Sequence, residues 1–136
     1  MSLAEYFEHT EGTGILATAD PDGRVDLAIY AKPHVIDDTT VAFVMRQRLS
    51  HHNLASTLHA AYMFIEAEQG YKGVRLYLTK QREEVNASLV ARLRAKQPEI
   101  YAEADDSQKY LVIFRVDHMR PLVGEPAASA QERQGV

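Results

Sequence analysis

The chain contains no cysteine, and it has no long apolar run. Without cysteine it cannot form disulfides or thiolate metal sites, and it has no cysteine nucleophile, which fits a cytoplasmic protein. No apolar stretch approaches the roughly 20 residues that a membrane-spanning helix needs. The N-terminal residues MSLAEYFEHTEG carry early acidic side chains and no hydrophobic core region, so they do not form a signal peptide. The sequence therefore predicts a soluble, cytoplasmic protein.

Positive charge is also scarce in the chain. Lysine and arginine number 15 against 19 aspartates and glutamates, which gives a formal net charge of −4. An excess of acid argues against a general affinity for nucleic acid. At 136 residues the chain is long enough for one domain with its own core. We expect that domain to span residues 1–124, and the small and polar residues 125–136 to form a disordered C-terminal tail.

The first thirty residues predict a short helix followed by a β-hairpin. Ser2 is placed to cap a helix that covers Leu3 to Phe7. A strand follows from Ile15 to Ala19, and Asp20-Pro21-Asp22-Gly23 is a strong turn sequence. The next run alternates, with Val25, Leu27 and Ile29 on one face of a second strand. Together these signals predict an antiparallel hairpin.

The rest of the chain adds further strands, two of them separated by a short helix. We predict strands at Val35-Ile36, Val41 to Met45, Ala60 to Glu66, Val74 to Thr79 and Tyr110 to Val116, and helices at Ser50 to Leu58 and Glu83 to Lys96. No β-α-β alternation appears. Six or seven antiparallel strands with two or three helices predict a mainly β protein, a closed or nearly closed antiparallel barrel with peripheral helices, because closure removes edge strands.

The segment Arg46 to Leu54 is the strongest candidate for a binding site. It follows an apolar strand and places two arginines and a hydroxyl before a predicted helix. Guanidinium groups bind phosphate oxygens two at a time, and a helix N-terminus favours anions. The alternative is a solvated basic turn in which Ser50 only caps its helix.

The order of these parts resembles the pyridoxamine 5′-phosphate oxidase-like family, the FMN-binding split barrels. The resemblance covers Leu3 to Val123 and is carried by the GILATA strand, the DPDG turn, VAFVMRQRLSHHNL, AAYMFIE and GYKGVRLYL. It implies an antiparallel split barrel and a homodimer with FMN in a cleft between the subunits. It implies a flavin oxidoreductase acting on a small molecule that the sequence does not identify, and it leaves the catalytic residues unassigned.

The resemblance also assigns cofactor-binding positions. The FMN phosphate would be held by Arg46, Arg48, Ser50, His51 and Asn53. The flavin ring would lie along Ala28, Ile29, Tyr30 and Ala31, and Arg75 falls where the family often has another cofactor or interface residue. The chain departs from the oxidases in two respects. His51-His52 stands where they often have lysine, and their C-terminal substrate-closing motif is absent.

Two alternatives stay open. The same barrel could be a non-catalytic flavin or haem carrier, and His34, His59 and His118 would then be the histidines to consider. It could also be a reductase that uses the deazaflavin F420, since related split barrels do so. A metal site is not expected, because the adjacent His51 and His52 point in different directions and no acid follows three or four residues later.

Overall fold

A computed structural model of the chain describes residues 2–46, 48–85 and 109–124. Within these ranges lie two helices and seven strands, whose bounds are α1 Leu3–His9, β1 Gly12–Ala19, β2 Val25–Tyr30, β3 His34–Asp37, β4 Thr40–Arg46, α2 Leu49–Leu54, β5 His59–Glu66, β6 Gly73–Glu84 and β7 Lys109–Pro121. The predicted tail lies outside the described residues. No helix among the described residues is both long and apolar enough to cross a membrane.

Local signals explain the N-terminal elements. The Ser2 side chain caps α1 by accepting a hydrogen bond from the Glu5 backbone N–H at 3.2 Å. Asp20 makes the hairpin turn, since its carboxylate accepts from the backbone N–H groups of Asp22 and Arg24, each at 2.9 Å. Gly23 has a φ of +84°, a backbone conformation that favours glycine. The predicted helix and hairpin are both confirmed.

The seven strands form one antiparallel sheet in the order β2-β1-β5-β6-β7-β4-β3. The sheet curls until its two ends approach, and the rings of Tyr30 on β2 and Phe43 on β4 lie 5.9 Å apart. The Tyr62 hydroxyl donates to the backbone carbonyls of Tyr30 and Ala31. No ladder joins β2 to β3 among the described residues, so the barrel is split rather than closed.

The core lies inside the curled sheet. Leu16, Tyr62, Phe64, Leu76 and Phe114 come from four different strands, and each is 0% exposed. Phe7 of α1 packs edge-on against Phe64 at 5.3 Å and so attaches the helix to this core. Gly14 faces the same interior. A Cβ there would collide with the Tyr62 hydroxyl and the Tyr30 carbonyl, so only glycine fits.

Two of the predicted helices have wrong boundaries. The helix predicted at Ser50 to Leu58 starts at Leu49 and ends at Leu54, since Ser56 and Thr57 are weak helix formers and the chain then turns into β5. The helix predicted from Glu83 cannot begin there, because Glu83 and Glu84 belong to β6 and pair with β7. Long-range strand pairing overrides the local helical pattern at this point. The remainder of that predicted helix lies outside the described residues.

Candidate functional site

The basic segment lies where β4 ends and α2 begins. Arg46 is the last residue of β4, and its carbonyl accepts from the Arg48 N–H at 2.8 Å. Arg48 is the N-cap of α2 and makes no side-chain cap hydrogen bond, and its side chain is exposed. The alternative reading of the sequence had Ser50 as the helix cap. In the structure Ser50 instead lies within the first turn of α2. A six-residue helix has a weak dipole, so any anion here would depend mainly on the side chains.

Ser50 joins this segment to the end of β2. Ser50 is only 4% exposed and lies near enough to the Tyr30 hydroxyl to lower its pKa. Burial raises the pKa of Tyr30, and Ser50 and the positive charge of Arg48 only partly offset that effect. The phenol is therefore neutral at physiological pH. The structure thus brings Tyr30, Arg48 and Ser50 together, three of the residues assigned to the cofactor from the sequence.

His51 is held by contacts with two other residues. Its ring stacks on Tyr110 with 4.0 Å between centroids, and its Nε2 lies 2.7 Å from a carboxylate oxygen of Glu83. The Lys80 ammonium is 3.8 Å from the same oxygen. These contacts fasten α2 to β6 and β7. An anion at Arg48 would therefore meet a histidine that already has a carboxylate partner.

Asn53 fastens the other side of the helix. It is 2% exposed, and its amide Nδ2 donates to the hydroxyl of the buried Thr18 on β1 at 3.0 Å. Its Oδ1 is buried and has no hydrogen-bond partner in the described part of the chain. Asn53 lies below the surface and holds α2 against the barrel.

Arg75 is not brought to this cluster. It lies on the outer face of β6, where its Nε donates to the Pro121 carbonyl at 2.8 Å and its Nη2 to the Gly124 carbonyl. Eight positions along β6 separate it from Glu83, the partner of His51, which corresponds to roughly 25 Å. Within one chain Arg75 fixes the end of β7, and the two predicted parts of the cofactor site stay apart.

The edge strand β2 carries three of the four positions predicted to line the ring, and Ala31 follows directly after its end. Asp26, Ala28 and Tyr30 are half-buried on its inner side, whereas Val25, Leu27 and Ile29 are 80%, 70% and 66% exposed. The alternation predicted from the sequence is confirmed. We define an outer apolar face by these three residues and their half-buried neighbours, Ile15, Ala17 and Ala19 on β1 and Ala61, Met63 and Ile65 on β5.

The structure also contains a groove that the sequence did not predict. It is a groove of about 600 Å³ on the outer side of β5, β6 and β7. Its lining residues are His59, Ala60, Tyr77, Leu78, Thr79, Arg115, Asp117, His118 and Arg120. They are distant from one another in the chain. The short run Arg115-Val116-Asp117-His118 is the one local hint, because it interrupts the strand alternation with charged residues.

Comparison with known proteins supports the fold. A crystal structure of an FMN-binding protein from Syntrophomonas wolfei matches 90% of this chain and 85% of that chain, with a TM-score of 0.74 and 16% identity. An F420 reductase matches 88% of this chain and 97% of that chain, with a TM-score of 0.63 and 16% identity. A protein of the pyridoxinephosphate oxidase family from Clostridium acetobutylicum matches 86% of this chain and 83% of that chain, with a TM-score of 0.65 and 12% identity.

Comparison of the sequence alone identifies no such relatives. No protein-family model matches it, and no curated protein matches it. At identities of 12 to 16% the structural likeness establishes the fold. The chain is thus a split barrel of the kind found in FMN-binding and pyridoxamine 5′-phosphate oxidase-like proteins, as the resemblance predicted.

Proposed function

We propose that this protein is a cytoplasmic, homodimeric flavin-binding oxidoreductase that acts on a small molecule. The observation that carries the proposal is the grouping of Arg48, Ser50 and Tyr30, in a fold shared with an FMN-binding protein. The group is basic and rich in hydroxyls, and it lies beside the strand along which a ring would pack. FMN supplies the redox chemistry when it is bound, so the chain needs no catalytic acid or base of its own.

The residues present fit a phosphate. Arg48 offers an exposed, permanently charged fork of donors, and Arg46 lies two residues before it at the strand end. The Ser50 and Tyr30 hydroxyls lie near each other, and Tyr30 keeps its proton because burial raises its pKa. In this proposal Arg46, Arg48 and Ser50 bind the phosphate, while His51 and Asn53 position α2 through Glu83 and Thr18.

The edge of the barrel fits the ring. As an edge strand, β2 has one side of its backbone outside the sheet's ladders in the described part of the chain. Ala28 to Ala31 could therefore present backbone groups to the ring. A second subunit on the outer apolar face would exclude water from that side. Exposed apolar side chains on a strand edge of this kind mark an interaction surface.

A deazaflavin is the second candidate cofactor. The F420 reductase match favours it, because that protein has the same fold over 88% of this chain. F420 also carries a phosphate and a tricyclic ring, so the same residues would serve. A carrier without turnover remains the alternative to an enzyme.

The first experiment is the absorbance spectrum of freshly purified protein, with mass spectrometry of whatever acid releases. Flavin bands and the mass of FMN support the proposal, and the mass of F420 changes the cofactor but keeps the site. A Soret band, or a colourless protein that takes up no added FMN, overturns the flavin proposal. Repeated reduction by NADH, NADPH or a substrate, followed by reoxidation, distinguishes an enzyme from a carrier.

A matched pair of variants tests the phosphate assignment. Arg48→Glu should abolish FMN uptake while the far-ultraviolet circular dichroism stays that of the wild type. Lys72→Glu makes the same charge change in the exposed turn between β5 and β6. This turn lies at the end of the β5–β6 hairpin that is far from α2, so the variant should keep full FMN uptake. Full FMN occupancy in Arg48→Glu would refute the assignment.

A further inference from the structure

The groove on the outer side of β5, β6 and β7 is separate from the proposed phosphate cluster. Tyr77 and Thr79 line the groove, whereas Leu76, which alternates with them, is buried in the core. The next residue, Lys80, sends its ammonium to the Leu54 carbonyl of α2 at 3.2 Å. The groove and α2 therefore lie on opposite sides of the sheet.

A β-bulge shapes the groove. In the pairing of β6 with β7, Tyr77 lies opposite His118 and Leu78 lies opposite Val116, so Asp117 is an extra residue on β7. Bulges of this kind redirect a side chain and are frequent near functional sites. Here the redirected side chain is that of Asp117, which enters the groove with Arg115 and His118 instead of following the strand alternation.

Both oxygens of the Asp117 carboxylate are used within the groove. Oδ2 accepts a hydrogen bond from the Thr79 hydroxyl at 2.5 Å, and Oδ1 accepts one from Arg115 Nε at 2.7 Å. Burial would raise the pKa of Asp117, but these hydrogen bonds and the positive charge of Arg115 outweigh it, so the pKa is lowered. Asp117 is thus ionised, and its charge is already matched by protein groups.

The same hydroxyl selects one tautomer of the His59 ring. Thr79 Oγ1 lies 3.2 Å from His59 Nδ1. Thr79 has one hydroxyl proton, and a carboxylate can only accept, so that proton points at Asp117. Thr79 must then accept from a protonated Nδ1. We assign the neutral His59 ring to this tautomer, which leaves Nε2 as a hydrogen-bond acceptor.

The remaining charge of the groove is positive. Arg115 uses Nε for Asp117, and its terminal nitrogens have no partner among the described residues. Arg120 lies over the Tyr77 ring, with 5.7 Å from its guanidinium carbon to the centroid. Arg115 is the more exposed of the two guanidinium groups in the groove. Guanidinium donors in such a groove recognise carboxylate or phosphate.

We propose that this groove is a second binding site, for a small molecule that carries a carboxylate or phosphate next to a hydroxyl or amine. The anionic group would bind the terminal nitrogens of Arg115, and the neighbouring hydroxyl or amine would donate to His59 Nε2. The inference does not depend on flavin binding at Arg48. Because Tyr77 pairs with Ala61 of the outer apolar face, the groove would lie at the border of the proposed subunit interface.

The test uses the full chain and a matched pair of probes, glycolate and acetate, which differ by one hydroxyl. Histidine side-chain NMR signals are followed during titration, with the His59 and His118 signals assigned from His59→Gln and His118→Gln. Glycolate should shift both signals saturably in the millimolar range and bind several-fold more tightly than acetate. The absence of a saturable shift with glycolate overturns the site, and equal affinity for the two probes overturns the role of His59.

Variants test the two contacts separately. Arg115→Gln should weaken glycolate binding about tenfold, as expected for the loss of a charged hydrogen bond. Arg82→Gln removes an exposed arginine of the same sheet that pairs with Glu84 outside the groove, and should leave binding unchanged. In Thr79→Val the signal of the Nδ1-protonated His59 tautomer should disappear from the nitrogen NMR spectrum, and the preference for glycolate over acetate should be lost. Thr79→Ser keeps the hydroxyl and should retain both the tautomer and the preference. Unchanged binding in Arg115→Gln refutes the anion contact, and an unchanged tautomer in Thr79→Val refutes the hydrogen-bond chain.

Discussion

The substitution Leu27→Asp tests whether the outer apolar face is a subunit interface. Leu27 is 70% exposed in the single chain. Full burial of a leucine contributes about 1.5–3 kcal/mol, so burying this exposed fraction in a dimer would contribute about 1–2 kcal/mol. A two-fold interface contains the residue twice, which doubles the contribution to about 2–4 kcal/mol. The dimer dissociation constant should therefore rise between about 30-fold and 1000-fold, and more once the cost of burying two carboxylates is added.

Sedimentation velocity over a range of protein concentrations measures this dissociation constant. The control is Ile36→Asp, which places the same charge at a residue 53% exposed on the other edge strand, β3. That variant should dimerise like the wild type. A Leu27→Asp protein that keeps the wild-type dissociation constant would show that the face is not the interface. Flavin occupancy, measured in the same samples, should fall together with the dimer fraction if the cofactor cleft needs both subunits.

The remaining predictions concern the barrel itself. Tyr62→Phe removes the hydrogen bonds to the Tyr30 and Ala31 carbonyls and should lower the free energy of unfolding by about 1–2 kcal/mol in urea denaturation. Phe114→Ala empties a position that is 0% exposed and should cost about 3–5 kcal/mol in the same assay. Because burial raises the pKa of Tyr30 from 10.0, folding favours its neutral form, and that stabilisation is lost as the pH rises above this value. Urea midpoints measured against pH should therefore fall more steeply above pH 10 for the wild type than for Tyr30→Phe, and parallel curves would refute the shift.

Sequence reasoning predicted the elements that local chemistry determines. The α1 cap at Ser2, the Asp20 turn and the alternation of β2 each depend on neighbours within a few residues, and each was predicted correctly. The extension of β6 to Glu84 was missed because it depends on pairing with β7, whose partner residues come after residue 108. Such long-range pairing leaves no periodic signal of its own in the strand.

The candidate site was predictable to a similar degree. The local pattern of two arginines and a serine after an apolar strand pointed to the segment that begins at Arg46. It could not show that Ser50 meets Tyr30, twenty residues earlier, or that His51 meets Glu83, because folding alone brings these pairs together. The groove was missed for the same reason, since His59, Thr79 and Asp117 come from three strands and meet through a bulge.

The placement of Arg75 favours a cleft shared by two subunits. The strand registers put Ile29, Ile15, Met63 and Arg75 in one row across β2, β1, β5 and β6 on the outer side of the sheet. A two-fold axis through the middle of this row would place the β2 end of one subunit against the β6 end of the other. Arg75 would then lie beside Ala28 to Ala31 of the opposite subunit, although within one chain it is roughly 25 Å along β6 from the partner of His51. This pairing would bring both parts of the assigned cofactor site into one cleft, so a loss of flavin in Leu27→Asp would reflect the loss of the opposite subunit rather than damage to the phosphate cluster.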